Sequence, residues 1–564
     1  MLLPPFFLLL PFLAALRAQP ARARCRTQPG DARFPSRAEW DRLNTTVAGR
    51  LIAVVPSALA CAEARCNDAQ WSSALFRDGI PGQMNAYNWE QLCLYNTTDG
   101  ACAQANVPLF AINATLPEHV QAGVAFSAQH DLRVAIKSSG HDYLGRSTNR
   151  GALLLWTQYM KNVTFTSAFI VGGEDQGSAV TVGSGMGLRA IYTAVQAQGK
   201  MVVGGTAATV SAGGGYIQGA GHSAFSPMFG LAADNVLQFE VVLADGSFVV
   251  ANAVSHPDLF WALRGGGAGS WGVVTSVTLR TFPTFTAAIH TATVLFASSA
   301  DAAAGMRAHA THISDYDTVR AGQYFYLFSN GPGENAYLQL NTLVINASAD
   351  AATQLVAPLL ADLVTAGGTL ANQSALVAPA QAIVGFADDR AGYNTLLGSR
   401  LVPLSAYTDA PDRIEETYRQ LLDFGVGSIL GHLLGGGKVA ENAVIDSAVH
   451  PKWRTAKTHV IATTTWADST PAADVLALKA NFTATVLPLL AAMTGEPDSG
   501  AYSNEADVDE PNFRTTFFGA HYARLSAIKA AYDPRSLFVV RAGVGSELWD
   551  ADGMCTVAGS TARV

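Results

Sequence analysis

One histidine stands beside an acid in a loop of small residues at positions 136–147, which read IKSSGHDYLGRS. The apolar run VAIK that leads into the loop predicts a strand. Backbone N–H groups of a serine- and glycine-rich loop at a strand end form a concavity that binds anions. Asp142 could orient the imidazole of His141 there. On this segment alone, a hydrogen-bonded histidine in a turn is the favoured interpretation.

A second segment with chemical potential is the glycine-rich stretch GGTAATVSAGGGYIQGAGHS at 204–223. Glycine serves where the backbone adopts positive φ or where a ligand must approach it closely. So much glycine predicts a backbone packed against a flat or phosphate-bearing ligand. The alternative is a flexible loop, but Thr209, Val210, Tyr216 and Ile217 are interleaved with the glycines and favour an ordered segment.

A third glycine segment lies at 256–283, HPDLFWALRGGGAGSWGVVTSVTLRTFP, and reads as helix, glycines, strand. A P-loop needs Gly-Lys-Ser/Thr after its glycines, and this stretch has none. A dinucleotide fingerprint needs strand, glycines, helix, which is the opposite order. GSGMGLRA at 183–190 has that order but lacks an acidic residue placed to bind a ribose. A nicotinamide site is therefore not expected.

The elements that must position these segments have an α+β pattern. From about 105 to 285, short β-branched runs alternate with helical stretches such as PEHVQAGVAFSAQH, whose proline suits a first helical turn. From about 286 to 500 alanine-rich helices alternate with aromatic strands, which predicts a second domain. Residues 19–104 are a cysteine-bearing extension, and 501–564 could rejoin the first domain.

The N-terminus and the glycosylation sequons predict export. Residues 1–18, MLLPPFFLLLPFLAALRA, are typical of a cleaved signal peptide, although the usual N-terminal positive charge is missing. A membrane anchor is the alternative, but the apolar run is short for a span and no later run of eighteen apolar residues is found. We expect no membrane association. The predicted N-glycan sites are Asn44, Asn96, Asn113, Asn162, Asn346, Asn372 and Asn481.

Charge and cysteine content agree with an exported enzyme. The net charge is −8, with no basic block, which argues against nucleic-acid binding. Of the six cysteines, five precede residue 103 and the sixth is Cys555. An even count in an oxidising compartment predicts three disulfides. Fifteen pairings are open; the most economical joins Cys25 to Cys555 and leaves Cys61, Cys66, Cys93 and Cys102 to pair locally. The rival zinc site lacks suitable spacing, so no metal is expected.

Taken in this order, the three segments resemble the vanillyl-alcohol-oxidase-type (VAO/PCMH) FAD-linked oxidases, in particular the secreted fungal branch related to berberine bridge enzyme. KSSGHDYLGRS resembles the family's diphosphate loop, and TVSAGGGYIQGAGHS with GLAADNV its flavin loop. DLFWALRGGGAGSWGVV resembles the third signature, and AYSNEADVDEPNF with FFGAHYARLSAIKAAYDP the C-terminal element. The resemblance implies a two-domain fold: a FAD-binding domain of two small α/β subdomains at 105–285, with the 501–564 segment returning to it. A substrate domain with an antiparallel sheet covered by helices is expected at 286–500.

The resemblance implies that the flavin is linked to protein through one bond. The histidine that follows the loop glycine, His141 here, attacks the flavin 8α-methyl group in such enzymes. Bicovalent members add a cysteine at the position of Ala207, so a single histidyl link is expected. Val210 stands where the family residue influences O₂ access, and valine resembles the oxidase type.

The other cofactor-binding residues that the resemblance implies are spread over the three segments and the C-terminal element. They are Lys137, Ser138, Ser139, Gly140, Asp142, Ser147, Thr206, Val210, Ser211, Gly214, Gln218, Gly219, His222, Leu231, Asp234, Val236, Gly272, Val274 and Asn504.

Oxidation of a C–OH group also needs a group that takes the hydroxyl proton. Tyr502 and Glu505 are the candidates from the C-terminal element, while His432, Tyr324 and Tyr326 could project from the second domain. The expected function is a secreted oxidase that passes a hydride from an alcohol, polyol, carbohydrate or phenolic substrate to FAD and then reduces O₂ to H₂O₂. The alternatives are a flavin dehydrogenase or oxidative cyclase with the same fold, or a non-enzymatic glycoprotein, which the intact His141 and glycine segments disfavour.

Overall fold

The computed structural model describes residues 24–82, 84, 103–383, 390–392 and 394–557. The predicted signal peptide lies outside the described residues, as do Asn96, Cys93 and Cys102. The N-terminal part contains helices α1 (Arg37–Thr46), α2 (Ser57–Glu63), α3 (Asp68–Trp71), α4 (Ala74–Arg77) and α5 (Pro117–His130), and strands β1 (Leu51–Ala53), β2 (Phe110–Asn113), β3 (Val134–Lys137) and β4 (Leu153–Trp156).

These strands form a sheet in the order β1–β2–β4–β3, in which β4 runs parallel to both of its neighbours. The central β4 reads LLLW and is buried at every position, as expected of a parallel strand covered on both faces. The crossover helix α5 begins with Pro117 and ends at Asp131 in a left-handed conformation, which confirms the helix predicted for this stretch. Strand β3 delivers the chain directly into the loop that contains His141.

The next part builds an antiparallel sheet in the order β11–β10–β12–β8–β5. Its strands are β5 (Val163–Thr166), β8 (Ala179–Gly183), β10 (Val236–Val242), β11 (Phe248–Asn252) and β12 (Val273–Arg280), with the short pairs β6 (Ile170–Val171)/β7 (Glu174–Asp175) and β9 (Lys200–Met201)/β13 (Phe282–Pro283) beside it. Helices α6 (Leu188–Gln196), α7 (Ser226–Phe229) and α8 (Pro257–Leu263), a π-helix at Ala212–Tyr216 and a 3₁₀ turn at Ala232–Asn235 connect them. The glycine-rich segment is thus ordered.

The predicted antiparallel sheet of the second domain has the order β17–β14–β16–β15–β19–β20–β18. Its strands are β14 (Thr286–Phe296), β15 (Gly322–Ser329), β16 (Ala336–Ile345), β17 (Thr369–Pro379), β18 (Asn394–Pro403), β19 (Ser428–Leu433) and β20 (Ala456–Trp466). The helices of this part are α9 (Ser299–Thr311), α10 (Ala349–Thr365), α11 (Ala380–Ile383), α12 (Leu404–Thr408), α13 (Pro411–Phe424), α14 (Gly437–Glu441) and α15 (Ala472–Thr494). The fold class predicted from the sequence is confirmed, while the domain boundaries remain a prediction.

Helix α15 is long and apolar enough to cross a membrane by length and composition, although Asp474 and Lys479 interrupt its apolar residues. Its buried residues Phe482, Val486, Leu487 and Leu490 pack into the core of the large antiparallel sheet. That packing is what a helix of a folded domain requires.

The C-terminal segment packs against the antiparallel sheet that contains β8, β10 and β12. Helices α16 (Phe513–Phe518) and α17 (Tyr522–Tyr532) contribute Phe517, Phe518 and Leu525 to the same core as the strands β8, β10 and β12. The expected disulfide Cys25–Cys555 closes the two ends of the chain on one another. Cys61 pairs with Cys66, which agrees with the predicted local pairing.

Candidate cofactor and active site

A cavity of about 370 Å³ opens where the loop after β3, the glycine-rich segment and the C-terminal segment meet. The first two segments were singled out by their residue types and the third by the family resemblance, and the fold brings them together from positions far apart in the chain. The predicted cofactor and catalytic residues that line the cavity are Ser138, Ser139, Gly140, His141, Asp142, Ser147, Val210, Ser211, Gly214, Gln218, Gly272, Val274, Tyr502, Asn504 and Glu505.

The loop after β3 is held in shape by its own acid. Asp142 accepts hydrogen bonds from the backbone N–H of Leu144 at 3.0 Å, from that of Ser147 at 2.6 Å and from the Ser147 hydroxyl at 3.0 Å. The structure therefore gives Asp142 the role of closing the loop on itself. The imidazole Nε2 of His141 lies 2.5 Å from the hydroxyl of Thr209, which ties the loop to the glycine-rich segment.

The residues of the cavity fit a ligand with polar and flat parts. Ser211 and Gln218 line the cavity, and the Ser211 hydroxyl and the Gln218 carbonyl oxygen are buried without a hydrogen-bond partner among the described residues. Buried polar atoms seldom stay unpaired in native proteins. A Cβ on Gly214 would lie 3.3 Å from that of Ser138, so the bare backbone lets the two walls approach. A flavin dinucleotide fits these features.

Ala207 also lines the cavity, on the same segment as Thr209. Position 207 is therefore on the cavity wall, where it offers a methyl group and no thiol. Cavity residues that sequence reasoning missed include Tyr143, Arg146, Tyr216 and Val540. The guanidinium of Arg146 donates to the carbonyls of Arg541 and Ala542, a partnership between distant segments that no local pattern signals.

One end of the cavity is closed by the sequence AYSNE at 501–505. Asn504 donates its amide to the Tyr502 hydroxyl at 2.8 Å and to the Gly215 carbonyl at 2.9 Å, which joins this segment to the glycine-rich one. Burial raises the pKa of Tyr502 far above its usual value, so the phenol keeps its proton at neutral pH. A protonated Tyr502 hydroxyl at the cavity can donate a hydrogen bond.

Glu505 is the anionic group at this end. Burial alone would raise its pKa, but the nearby His222, His459 and His432 outweigh burial and lower the pKa of Glu505 to about 2. Its Oε2 lies 3.2 Å from Nε2 of His222 and 3.5 Å from Nδ1 of His459. The carboxylate thus faces imidazoles on one side and the cavity on the other.

The histidines behind Glu505 come from three segments. His432 on β19 pairs in register with His459 on β20, and with Tyr324 on β15 across the other edge. The predicted residues His432 and Tyr324 do not line the cavity; His432 packs 4.9 Å from the ring of His222, and Tyr324 stands behind it. His459 was not among the site residues predicted from the sequence. The alternating pattern of the strand KTHVIATTTW does place its side chain on the same face as those of Lys457 and Ile461.

Several predicted cofactor residues lie away from the cavity. Lys137 is buried, and its ammonium donates to the carbonyls of Ile80 and Gly82. Thr206 is exposed at the surface. Neither side chain lines the cavity in this structure. The ammonium of Lys137 fixes the N-terminal extension under the loop. Their roles at the cofactor stay predictions.

The segment 231–236 serves the fold and not the cavity. Asp234 forms a two-point ion pair with Arg454, at 2.7 and 2.9 Å, and accepts from the Asn442 amide. Leu231 is buried against the elements that surround Trp453, and Val236 begins β10 in the core. Two predicted cofactor residues remain. His222 is one of the histidines behind Glu505. Gly219 lies against Asn504, and a Cβ on this glycine would come within 2.4 Å of the Asn504 amide nitrogen.

Comparison with known proteins places the chain in a family. Residues 108–252 match the model of the FAD binding domain, and residues 501–545 match the family described as berberine and berberine like. An uncharacterized FAD-linked oxidoreductase from Arthroderma benhamiae is 37% identical over 97% of this chain and 98% of its own. The VAO-type flavoprotein oxidase VAO615 from Thermothelomyces thermophilus is 34% identical over 94% of both chains.

Solved structures agree with these relatives. The VAO-type flavoprotein MtVAO615 from Myceliophthora thermophila C1 superposes with a TM-score of 0.86 at 31% identity and covers 94% of this chain and all of its own. Berberine bridge enzyme from Eschscholzia californica shares the fold, with a TM-score of 0.64 at 16% identity over 90% of this chain and 98% of its own. The chain is thus a FAD-dependent oxidoreductase and belongs to the VAO-type, berberine-bridge-like family of FAD-linked oxidases.

Proposed function

We propose that the protein is a secreted oxidase that holds FAD in this cavity through one covalent bond from His141. Bound FAD would accept a hydride from the carbon of an alcohol, polyol, carbohydrate or phenolic substrate and pass the electrons to O₂, with release of H₂O₂. The observation that carries the proposal is that His141 and Ala207 line the same cavity. One wall offers a nucleophile for the flavin and the other lacks the cysteine for a second bond.

The protein's own residues account for cofactor retention. Asp142 fixes the loop that presents His141, and Thr209 holds the imidazole at 2.5 Å from the opposite segment. Ser211 and Gln218 supply buried polar atoms that are free to bind a polar edge of the cofactor. We propose that the remaining predicted residues on the wall, from Ser138 to Val274, contact the cofactor mainly through backbone groups.

The substrate would bind between the flavin and the AYSNE segment. Tyr502 keeps its proton because its pKa is raised by burial, so it donates a hydrogen bond to the substrate oxygen. Glu505 lines the cavity beside Tyr502, and by this position it is the group that would accept the substrate's hydroxyl proton as the hydride leaves carbon. Val210, also on the wall, would border the path of O₂.

Export is supported by features far from the cavity. The disulfide between Cys25 and Cys555 suits an oxidising compartment. Four sequon asparagines, Asn162, Asn346, Asn372 and Asn481, are exposed, whereas Asn44 and Asn113 are half-buried. We propose the exposed four as the principal N-glycan sites.

The oxidase function is tested by reduction and reoxidation of the purified yellow protein. Reduction with dithionite under anaerobic conditions should bleach the flavin spectrum, and mixing with air-saturated buffer should restore it within seconds, with about one H₂O₂ formed per flavin. A peroxide-coupled screen of alcohols, sugars and phenols then identifies the substrate. Slow reoxidation by O₂ with fast reoxidation by a quinone would contradict the oxidase proposal and favour the dehydrogenase alternative.

A further inference from the structure

Three buried imidazoles and one half-buried carboxylate lie together at the AYSNE end of the cavity. His222, His432, His459 and Glu505 each offer a ligand atom, and these atoms all lie within 4.8 Å of one another. No metal was expected from the sequence, because no local spacing suggested one. The ligands come from residues 222, 432, 459 and 505, so only the fold assembles them. We name these four residues the His₃Glu group.

The nitrogens of this group are buried but largely unused. His459 is completely buried, and neither of its ring nitrogens makes a hydrogen bond; Nδ1 of His222 and Nδ1 of His432 also have no partner among the described residues. Buried polar atoms are seldom left unpaired in native proteins. Each imidazole can give one nitrogen to a common partner. Nδ1 of His459 lies 3.5 Å from Oε2 of Glu505 and has no hydrogen bond, so an ion bound there would give it a partner.

The ligand types of the group suit a cation. Three imidazoles and one carboxylate bring one ligand atom each to within 4.8 Å of one another. Imidazole nitrogens and carboxylate oxygens are the groups that bind Zn²⁺ and related ions in proteins.

We propose that the His₃Glu group binds one divalent d-block ion, with Zn²⁺ as the first candidate. A tetrahedral Zn²⁺ site accepts N₃O ligand sets, with ligand atoms about 3.3 Å apart for bond lengths near 2.0–2.1 Å. The observed contacts of Oε2 of Glu505 to His222 and His459, 3.2 and 3.5 Å, already have that spacing. The ligand atom that His432 offers lies within 4.8 Å of those of the other three residues.

The site would join three parts of the molecule at the edge of the cavity. His222 belongs to the glycine-rich segment, His432 and His459 belong to the large antiparallel sheet, and Glu505 belongs to the C-terminal segment. The ring of Tyr502, which lines the cavity, packs 5.4 Å from His222 and 5.7 Å from His459. The ion would thus fix the wall that faces the substrate. An ion bound to Oε2 of Glu505 would leave Oε1 of the same carboxylate to accept the substrate proton. The inference therefore rests on the proposed function of Glu505 and extends it.

The test uses the flavin-loaded, full-length protein. It is treated with a chelator, desalted and titrated with Zn²⁺ by calorimetry and with Co²⁺ by visible absorption; metal content is measured by mass spectrometry before and after. We expect one ion per chain and a Co²⁺ spectrum typical of tetrahedral coordination. His459→Gln and Glu505→Gln should each weaken binding at least a hundredfold, while flavin absorbance stays unchanged. His309→Gln is the matched control, because His309 is also completely buried but lies outside the His₃Glu group.

The outcomes separate this inference from the proposed function. Protein that carries flavin and reoxidises quickly in O₂ but binds neither Zn²⁺ nor Co²⁺ overturns the metal site and leaves the oxidase proposal intact. Binding of equal strength in His459→Gln also overturns it, because the ion would then lie elsewhere. Loss of binding in His309→Gln as well as in His459→Gln would show that general destabilisation explains the effect, which likewise overturns the assignment.

Discussion

The chemistry of the cavity depends on which single side chains reach it. His141, Ser211 and Gln218 belong to serine- and glycine-rich segments that their residue types single out, Tyr502 was named through the family resemblance, and all four line one cavity. Lys137 does not line it, for a physical reason. A lysine beside an anion-binding loop is expected to point into the loop. The ammonium of Lys137 instead donates hydrogen bonds to two carbonyls that lie more than fifty residues earlier in the chain.

Ala207 provides a prediction at this scale. Because residue 207 lines the cavity, Ala207→Cys should supply the thiol for a second flavin bond. In a His141→Ala/Ala207→Cys double variant we expect the flavin to stay with the protein after acid precipitation, measured by absorbance of the redissolved pellet. His141→Ala/Ala207→Ser is the control and should release its flavin. Complete release from the cysteine variant would mean that residue 207 does not approach the reactive edge of the ring.

At the scale of elements, the turn that follows β3 depends on Gly140. Its φ is +95°, and a Cβ there would lie 2.5 Å from Cε of Lys137, whose ammonium is held by two carbonyls and cannot withdraw. Gly140→Ala should therefore cost about 1–2 kcal/mol for the left-handed backbone and about 1–3 kcal/mol for overpacking. Denaturant unfolding and flavin content would both report the loss.

Gly173→Ala is the matched control for that variant. Gly173 has a φ of +88°, and a Cβ there would meet no atom within 4 Å, so it carries the backbone cost alone. Equal destabilisation by the two substitutions would contradict the role given to Lys137 as a rigid support under the loop.

Helix α9 and strand β15 yield a pH prediction. His309 is buried, its Nε2 lies 2.7 Å from the side-chain oxygen of Gln323, and burial lowers its pKa from 6.5 to about 4. Between these two values the unfolded chain binds more protons than the folded one. The contribution of His309 to the free energy of unfolding is therefore fully present above pH 6.5. It is lost as the pH drops towards 4, by on the order of 3 kcal/mol.

His309→Gln should flatten that dependence. The free energy of unfolding, measured by urea denaturation at pH 7.5 and pH 4.5, should drop less in the variant than in the unsubstituted protein. The exposed His256→Gln is the control and should keep the full drop. An identical pH dependence for all three proteins would contradict the burial argument for His309.

At the scale of the whole molecule, the fold is held together by contacts between segments that sequence reasoning treated separately. Alternating strands and amphipathic helices were predictable because their residue periodicity records which face is buried. The His₃Glu group and the Asp234–Arg454 ion pair were not, because their members are separated by up to hundreds of residues and each is unremarkable in its local sequence. Only the strand register of β19 and β20 brings His432 and His459 together.

A buried ion pair connects the C-terminal segment to the large sheet. Arg400 on β18 contacts both carboxylate oxygens of Glu510, at 2.8 and 3.1 Å, and both side chains are about 5% exposed or less. Glu510→Gln removes one partner and leaves a buried charge, so we expect a loss of about 3–5 kcal/mol. Thermal and denaturant unfolding would measure it.

The exposed pair Arg524–Asp446 is the control for that variant. Its side chains are 49% and 73% exposed, so Asp446→Asn should change stability by less than about 1 kcal/mol. An Arg400→Met/Glu510→Leu double variant should recover much of the loss, since neither charge is then buried. A double variant less stable than Glu510→Gln would contradict this explanation.

The central claim is that the flavin is bound covalently to His141 and to no other residue. The most direct measurement is peptide mapping by mass spectrometry of acid-precipitated protein, compared with His141→Ala. The account predicts that the flavin mass is found on the peptide containing His141 and on no other. It also predicts that His141→Ala binds FAD that acid releases completely. Free FAD in the acid supernatant of the unsubstituted protein, or a flavin-modified peptide in His141→Ala, would contradict the account.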